Sequence, residues 1–168
     1  MAELNDVYDR NRKRTGRVHV RGTPWRFGEY GLVVCVWIYD GSGKLLLTKR
    51  APEKSFGGTW ENTGGAARAG ESSLQAIARE VFEETGISAE EAEFSLIGTT
   101  TRKRLHFDHY CLQCSIPAEN VVLQPGETVD AGWFTFDDVH TLISKRKMCR
   151  VIAHQFLSFE NTLRTRNQ

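Results

Sequence analysis

The chain of 168 residues carries 22 Lys and Arg against 21 Asp and Glu, a formal net charge of +1, with 40% apolar and 26% charged residues. That length suits one domain, and the balance is that of an ordinary globular protein, which excludes a disordered tail, a collagen and a small disulfide scaffold. The near-zero charge weighs against a surface built to grip nucleic acid.

Residues 1–30 are polar, and Asn5, Asn11, Gly16, Gly22, Pro24 and Gly28 mark them as turns. Between Arg10 and Gly28 stand seven basic residues (Arg10, Arg12, Lys13, Arg14, Arg17, Arg21, Arg26) and no acidic one. They read as a solvated surface or as a grip on an anionic substrate. No apolar core or cleavage site follows Met1, so a secretory signal is not expected. No apolar run nears the ~20 residues that span a bilayer. Four cysteines (Cys35, Cys111, Cys114, Cys149) in a chain able to build a core suggest free thiols. A cytoplasmic protein with no membrane partner is the expectation.

Strands are predicted over Leu32–Tyr39 and Leu45–Lys49, joined as a hairpin by Asp40-Gly-Ser-Gly43. A glycine-rich loop is expected from Ser55 to Gly70, then an amphipathic helix from Ser73 to Thr85. Ser72 with Gln75 forms a capping box, and Gly86 suits the C-terminal cap. Leu74, Ile77, Ala78, Val81, Phe82 and Thr85 fall on one core-facing stripe. Further strands are predicted near Phe94–Thr101, Leu105–Ile116 and Ala131–Phe134, and helices near Asp138–Ser144 and Arg146–Leu163. Short strands, a helix, then more strands point to an α/β sandwich around a mixed sheet.

The polar face of the central helix carries the chemistry. Glu80, Glu83 and Glu84 share one sector of about 100°, where like charges repel by roughly 0.2–0.5 kcal/mol per pair. Only Arg79 is placed to compensate. Alone, such a cluster reads as a solvated acidic edge. Here a glycine-rich loop leads into the same helix, where backbone can approach a phosphate closely. Three carboxylates on one face suit Mg²⁺ or Mn²⁺. Metal-assisted hydrolysis of a phosphoanhydride is what these parts suggest together.

Gly65, five residues, Glu71, seven residues, then Arg79-Glu80-Val81-Phe82-Glu83-Glu84-Thr85-Gly86-Ile87 match the Nudix box at every defined position. The chain resembles the Nudix hydrolase family over roughly residues 30–145, with Trp60, Gly64 and Trp133 in the flanks. The resemblance implies an α/β/α sandwich, with residues 1–168 as one domain, 1–30 a basic extension and 64–87 a loop–helix–loop. It implies Glu80, Glu83, Glu84 and the Gly64 carbonyl as Mg²⁺ ligands, with Mn²⁺ as a substitute. Arg79 would hold Glu71 or Glu83. The general base would be Glu80 or a glutamate before the tryptophan strand, here Glu127, which could instead serve as an additional metal ligand or stand as an exposed loop glutamate, with Asp130 the weaker candidate. The implied substrate is a small-molecule diphosphate, commonly a nucleoside diphosphate linked to another moiety, and homodimers are frequent in the family.

Other features read more plainly. Cys111 and Cys114 lie in a strand-like run that points them to opposite faces, so they read as strand cysteines rather than a zinc site. His106 and His109 read as strand histidines. Trp25, Phe27, Tyr30, Phe56 and Trp60 read as core, with stacking on a base as the alternative. Trp60-Glu-Asn-Thr63 also resembles the isopentenyl diphosphate isomerases that share this fold. Those need a cysteine soon after this segment, and none occurs between Cys35 and Cys111. A non-catalytic nucleotide-binding module would be expected to lose box glutamates, and all are kept.

Overall fold

The computed structural model describes residues 2–167. Its strands are β1 (Leu4–Tyr8), β2 (Arg14–Val20), β3 (Gly31–Tyr39), β4 (Lys44–Arg50), β5 (Trp60–Glu61), β6 (Thr63–Ala66), β7 (Ser95–Arg102), β8 (Leu105–Gln113) and β9 (Thr128–Thr135). The helices are α1 (Ser73–Thr85), α2 (Phe136–Ser144) and α3 (Arg150–Arg166). Seven strands form a mixed sheet ordered β5-β4-β3-β8-β7, with β6 paired to β3 and β9 to β4. β3 and β8 run parallel and in register from Gly31–Leu105 to Tyr39–Gln113; the other pairings are antiparallel.

Alternation along β3 builds the two faces of the sheet, because successive side chains point to opposite sides. Leu32, Val34, Val36 and Ile38 pack with Ile77 and Val81 of α1. Trp37 and Tyr39 pack instead with Val139 of α2 and Ile152 and Phe156 of α3. The result is an α/β/α sandwich, as expected. Cys111 and Cys114 do face opposite clusters, and all four thiols are free.

Local signals placed most elements. The β3–β4 turn is held by Asp40 Oδ1, which accepts from the backbone of Ser42 and Lys44 at 2.8 and 3.0 Å. Ser72 and Gln75 form the reciprocal cap of α1, and Gly86 closes it at φ 70°, a conformation glycine adopts without steric cost.

Three expectations need correction. Residues 55–70 are not all loop: β5 and β6 lie within them, because their pairing partners in β4 and β3 are remote in sequence. Phe82 is 60% exposed and Ala76 takes its place in the core. The stripe is thus rotated away from the sequence reading. Residues 1–30 contain the β1–β2 hairpin, whose tip is tied down by an Arg12–Asp108 ion pair.

That hairpin also corrects the reading of the basic segment. Arg14 pairs with Asp6 at 3.3 Å, Arg17 with Glu29 at 2.9 Å and Arg21 with Glu3 at 2.8 Å. With Arg12, four of the seven cations serve the fold's own carboxylates.

Both histidines of β8 are fully buried. His106 stacks on Tyr30 and bonds Thr101 and the Asp9 carbonyl, at 2.8 Å each. Burial pushes the His109 imidazole down to about 4, whereas an unfolded chain protonates it near 6.5. Acid therefore favours the unfolded chain, and stability present above about pH 6.5 is lost as pH falls toward 4, by up to roughly 3 kcal/mol. Urea unfolding between about pH 7 and pH 4.5 should show a shallower acid loss in His109→Leu than in wild type. Equal slopes would mean that His109 takes up its proton without unfolding.

Candidate active site

β6 and α1 bring the box residues together. Gly64 and Gly65 sit opposite Cys35 and Val34 of β3, and the Gly64 N–H donates to Glu84 Oε2 at 3.4 Å. A side chain at Gly65 would collide with the Glu80 carboxylate, while one at Gly64 would collide with the Val34 carbonyl. The two glycines therefore have different reasons. Gly65→Ala should displace only Glu80, lowering turnover with little change in melting temperature. Gly64→Ala must push backbone apart and should destabilise by about 1–3 kcal/mol. Thermal melting beside steady-state rates separates the two.

Arg79 stands at the centre of the acidic face. Its Nε and Nη2 donate to the two oxygens of Glu71 at 2.6 and 3.0 Å. Its Nη1 donates to Glu80 Oε1 at 2.8 Å and to Glu83 Oε2 at 3.0 Å. Burial lowers the guanidinium's affinity for its proton, but the bonds to Glu71 and Glu80 outweigh it and hold the charge firmly. Burial also pushes Glu71 up, yet the bonds from Arg79 and the Arg68 backbone keep it below the usual carboxylate range. Both expected partners of Arg79 are present, together with Glu80. Arg68 adds a second cation on Glu83, at 3.2 Å.

The three helix glutamates do not share one environment. Glu83 is outermost, between Arg79 and Arg68. Burial raises the Glu80 carboxyl, opposed by Arg79. Glu84 is the deepest, and burial together with repulsion from Glu80 and Glu61 pushes it well above the usual range.

Two more carboxylates join from outside the box. Glu61 of β5 is buried and raised by that burial, against the pull of Arg50, whose Nη1 reaches both its oxygens at 2.6 and 2.7 Å. Glu127 precedes β9, anchored where its carbonyl accepts from the Ala51 N–H at 2.8 Å. Its carboxylate takes the Lys54 ammonium at 2.5 Å on both oxygens. Glu127 thus reaches the cluster, and Glu84 feels its charge. Asp130 does not: it is exposed on β9, bonded to the following backbone N–H.

Glu61, Arg50, Lys54 and Arg68 escaped the sequence reading. A glutamate inside a short segment leading straight into Gly64 was the one available signal for Glu61. Among the aromatics, Trp60 packs on Phe134, whereas Phe27 and Phe56 are exposed rather than core.

Among the described residues no three acidic or histidine side chains already stand as a ligating group for a metal. The carboxylates take other partners: Arg79, Lys54 and the Gly64 N–H. The donor set nevertheless fits a hard divalent cation. Glu80, Glu84 and Glu61 are all oxygen donors, and each is held against its preference for ionising by burial. A cation would relieve that cost.

Comparison with known proteins agrees with this architecture. The pattern that defines the NUDIX domain matches residues 29–154. An uncharacterised Nudix hydrolase of Listeria monocytogenes is 34% identical over 146 residues, covering 83% of each chain. A Deinococcus radiodurans crystal structure superposes with a TM-score of 0.77 at 21% identity, covering 91% of this chain and 96% of that one. A bifunctional NMN adenylyltransferase/ADP-ribose pyrophosphatase from Francisella tularensis, solved with AMP and manganese, gives 0.66 at 15% identity over 83% of this chain and 43% of that one. The chain belongs to the Nudix hydrolase family. It is an enzyme of that class. No described helix is long and apolar enough to cross a membrane.

Proposed function

We propose that this protein is a divalent-metal-dependent hydrolase that cleaves the phosphoanhydride bond of a nucleoside diphosphate linked to another moiety. The observation that carries the reading is the convergence of Glu61, Glu80 and Glu84 beside the Gly64-Gly65 backbone, with burial working against their negative charge. Glu80, Glu83, Glu84 and the Gly64 carbonyl would hold Mg²⁺ or Mn²⁺; the Francisella relative carries manganese. Bound there, the cation would neutralise the diphosphate and acidify an attacking water.

The chain's own groups do the rest. Arg79 fixes Glu71, Glu80 and Glu83 in one frame, and the flexibility of Glu80 is further limited by Gly65 at its tip. We assign Glu80 as the group that takes the proton of the attacking water. Arg79 engages its Oε1 and leaves Oε2 outside that bond. Both oxygens of Glu127 face Lys54, so Glu127 orients that lysine toward the anionic substrate. Catalysis then rests on charge stabilisation and in-line positioning more than on covalent chemistry. The whole chain acts as one domain in this reading, with the β1–β2 hairpin as part of it.

A phosphate-release screen over nucleotide sugars, ADP-ribose, dinucleoside polyphosphates, coenzyme A and nucleoside triphosphates, with and without Mg²⁺, tests the proposal. Wild type should turn over at least one compound only with metal, and Glu84→Gln should not. Turnover of isopentenyl diphosphate to its isomer, with every anhydride untouched, would overturn it.

A further inference from the structure

Arg10 takes no part in the ion pairs of the N-terminal hairpin and meets other cations at one end of the sheet. A cavity of about 660 Å³ lies there between the residues before β3 and the β7–β8 turn, with Arg10, Lys103, Arg104, Phe27 and Tyr30 in its wall. Among the described residues none of these three cations is paired with a carboxylate. The one acid in the wall, Asp9, gives its Oδ1 to the backbone N–H groups of Asn11 and Lys13 at 2.8 and 3.0 Å.

Two features of this cavity are unfavourable for the fold itself. Phe27 is 98% exposed, and leaving a large apolar ring in water costs stability. The turn beneath it is nevertheless ordered. Glu29 Oε2 accepts from the Arg26 N–H at 3.0 Å, and the Arg26 carbonyl accepts from the Glu29 N–H at 3.1 Å. The same carbonyl takes the Arg104 guanidinium at 2.9 Å, which stands 5.7 Å from the centre of the Phe27 ring. The second feature is Lys103, which opens the two-residue β7–β8 turn at φ 54°. Hairpin turns favour glycine, asparagine or aspartate where φ is positive, so a lysine there carries backbone strain. In return it sets an ammonium at the cavity's edge, and it also borders Arg102 and Arg150 in a neighbouring groove.

We propose that this face binds single-stranded nucleic acid, with one base stacked on Phe27 beside Tyr30 and the adjoining phosphates on Arg10, Lys103 and Arg104. A charged track with an aromatic platform is how proteins hold single strands without reading their sequence. A duplex keeps its bases stacked on one another, and so offers none to Phe27. The ring and the cations line a hollow, which fits a base and its phosphates better than the flat face of a bilayer. Net charge averages over the whole surface and does not show such a patch. The surface is separate from the acidic cluster, since Gly31 beside it lies about 13 Å along β3 from Cys35, the partner of Gly64. It does not depend on the hydrolase reading.

The test is fluorescence anisotropy with the full chain in EDTA, using labelled RNA and DNA strands of about 12 nucleotides and mixed sequence, beside a DNA duplex of the same sequence. At least one single strand should bind about tenfold or more tighter than the duplex, and less tightly as salt rises. Phe27→Ala should weaken that binding about tenfold with little change in its salt dependence, and Phe27→Trp should restore it. Lys103→Gly removes one cation and the strain together. It should flatten the slope of log affinity against log salt by about 0.7, while melting no lower than wild type. Failure to bind either strand, or a duplex bound as tightly, overturns the proposal. So does strand binding that Phe27→Ala and Lys103→Gly leave unchanged, or a Phe27→Trp variant no better than Phe27→Ala. Co-sedimentation with phosphatidylserine vesicles that depends on Phe27, with no strand bound, would make this a membrane-contacting face instead.

Discussion

Replacing Glu80 by Gln should lower kcat by on the order of 10³-fold, the largest loss expected from any single carboxylate here. Glu80 is asked to do two things, to ligate the cation and to accept a proton, and the amide can do neither well. The fold should hardly notice. A glutamine oxygen still accepts from Arg79 Nη1, which lies 2.8 Å from Oε1 in wild type, and a buried carboxyl pushed upward by its surroundings is replaced by a neutral group. Glu127→Gln leaves the cation's helix ligands intact and loosens only the hold on Lys54. Its loss should be roughly tenfold smaller, about 10². Steady-state rates against Mg²⁺ concentration, with melting curves on the same preparations, would check both. The reverse ranking would move the base from Glu80 to Glu127.

Arg79→Ala should combine a stability loss of about 2 kcal/mol with an activity loss of roughly 10–100-fold. Removing the guanidinium leaves Glu71, Glu80 and Glu83 facing one another without the cation that reaches all three at 2.6–3.0 Å. The stability loss is kept modest because Glu83 retains Arg68 and is partly solvated. Its pH dependence follows from Glu71, whose carboxyl is held below the range it has when unfolded. That contribution is present above about pH 4.5 and disappears as pH falls through the lower folded value. The gap between wild type and variant should therefore narrow in acid. Added Mg²⁺ should raise the melting temperature of Arg79→Ala more than that of wild type, since a cation then meets charge that nothing else offsets. Equal shifts would mean that the cation does not bind among these glutamates.

The parts legible in the sequence share one property: their determinants lie within one or two helical turns or one hairpin. The Ser72–Gln75 box, the Gly86 cap and the Asp40 turn are each complete in a few residues. The run from Arg79 to Glu84 is likewise local, its arginine and glutamates spaced to meet once a helix forms. Local backbone physics alone carries these across to three dimensions.

The sequence by itself determined the helix that carries the acidic face, the identity of its central arginine and the apolar strand over Leu32–Tyr39. Only the tertiary structure decided which glutamates are deep and which are outer, and added Glu61 from β5 and the Lys54–Glu127 pair, 73 residues apart. It turned the basic N-terminal segment into a hairpin tied through Arg12 to Asp108, 96 positions away. The reason is physical. A charge's role depends on its desolvation and its partners, and both are set by strand pairings whose order along the sheet is not the order of the chain.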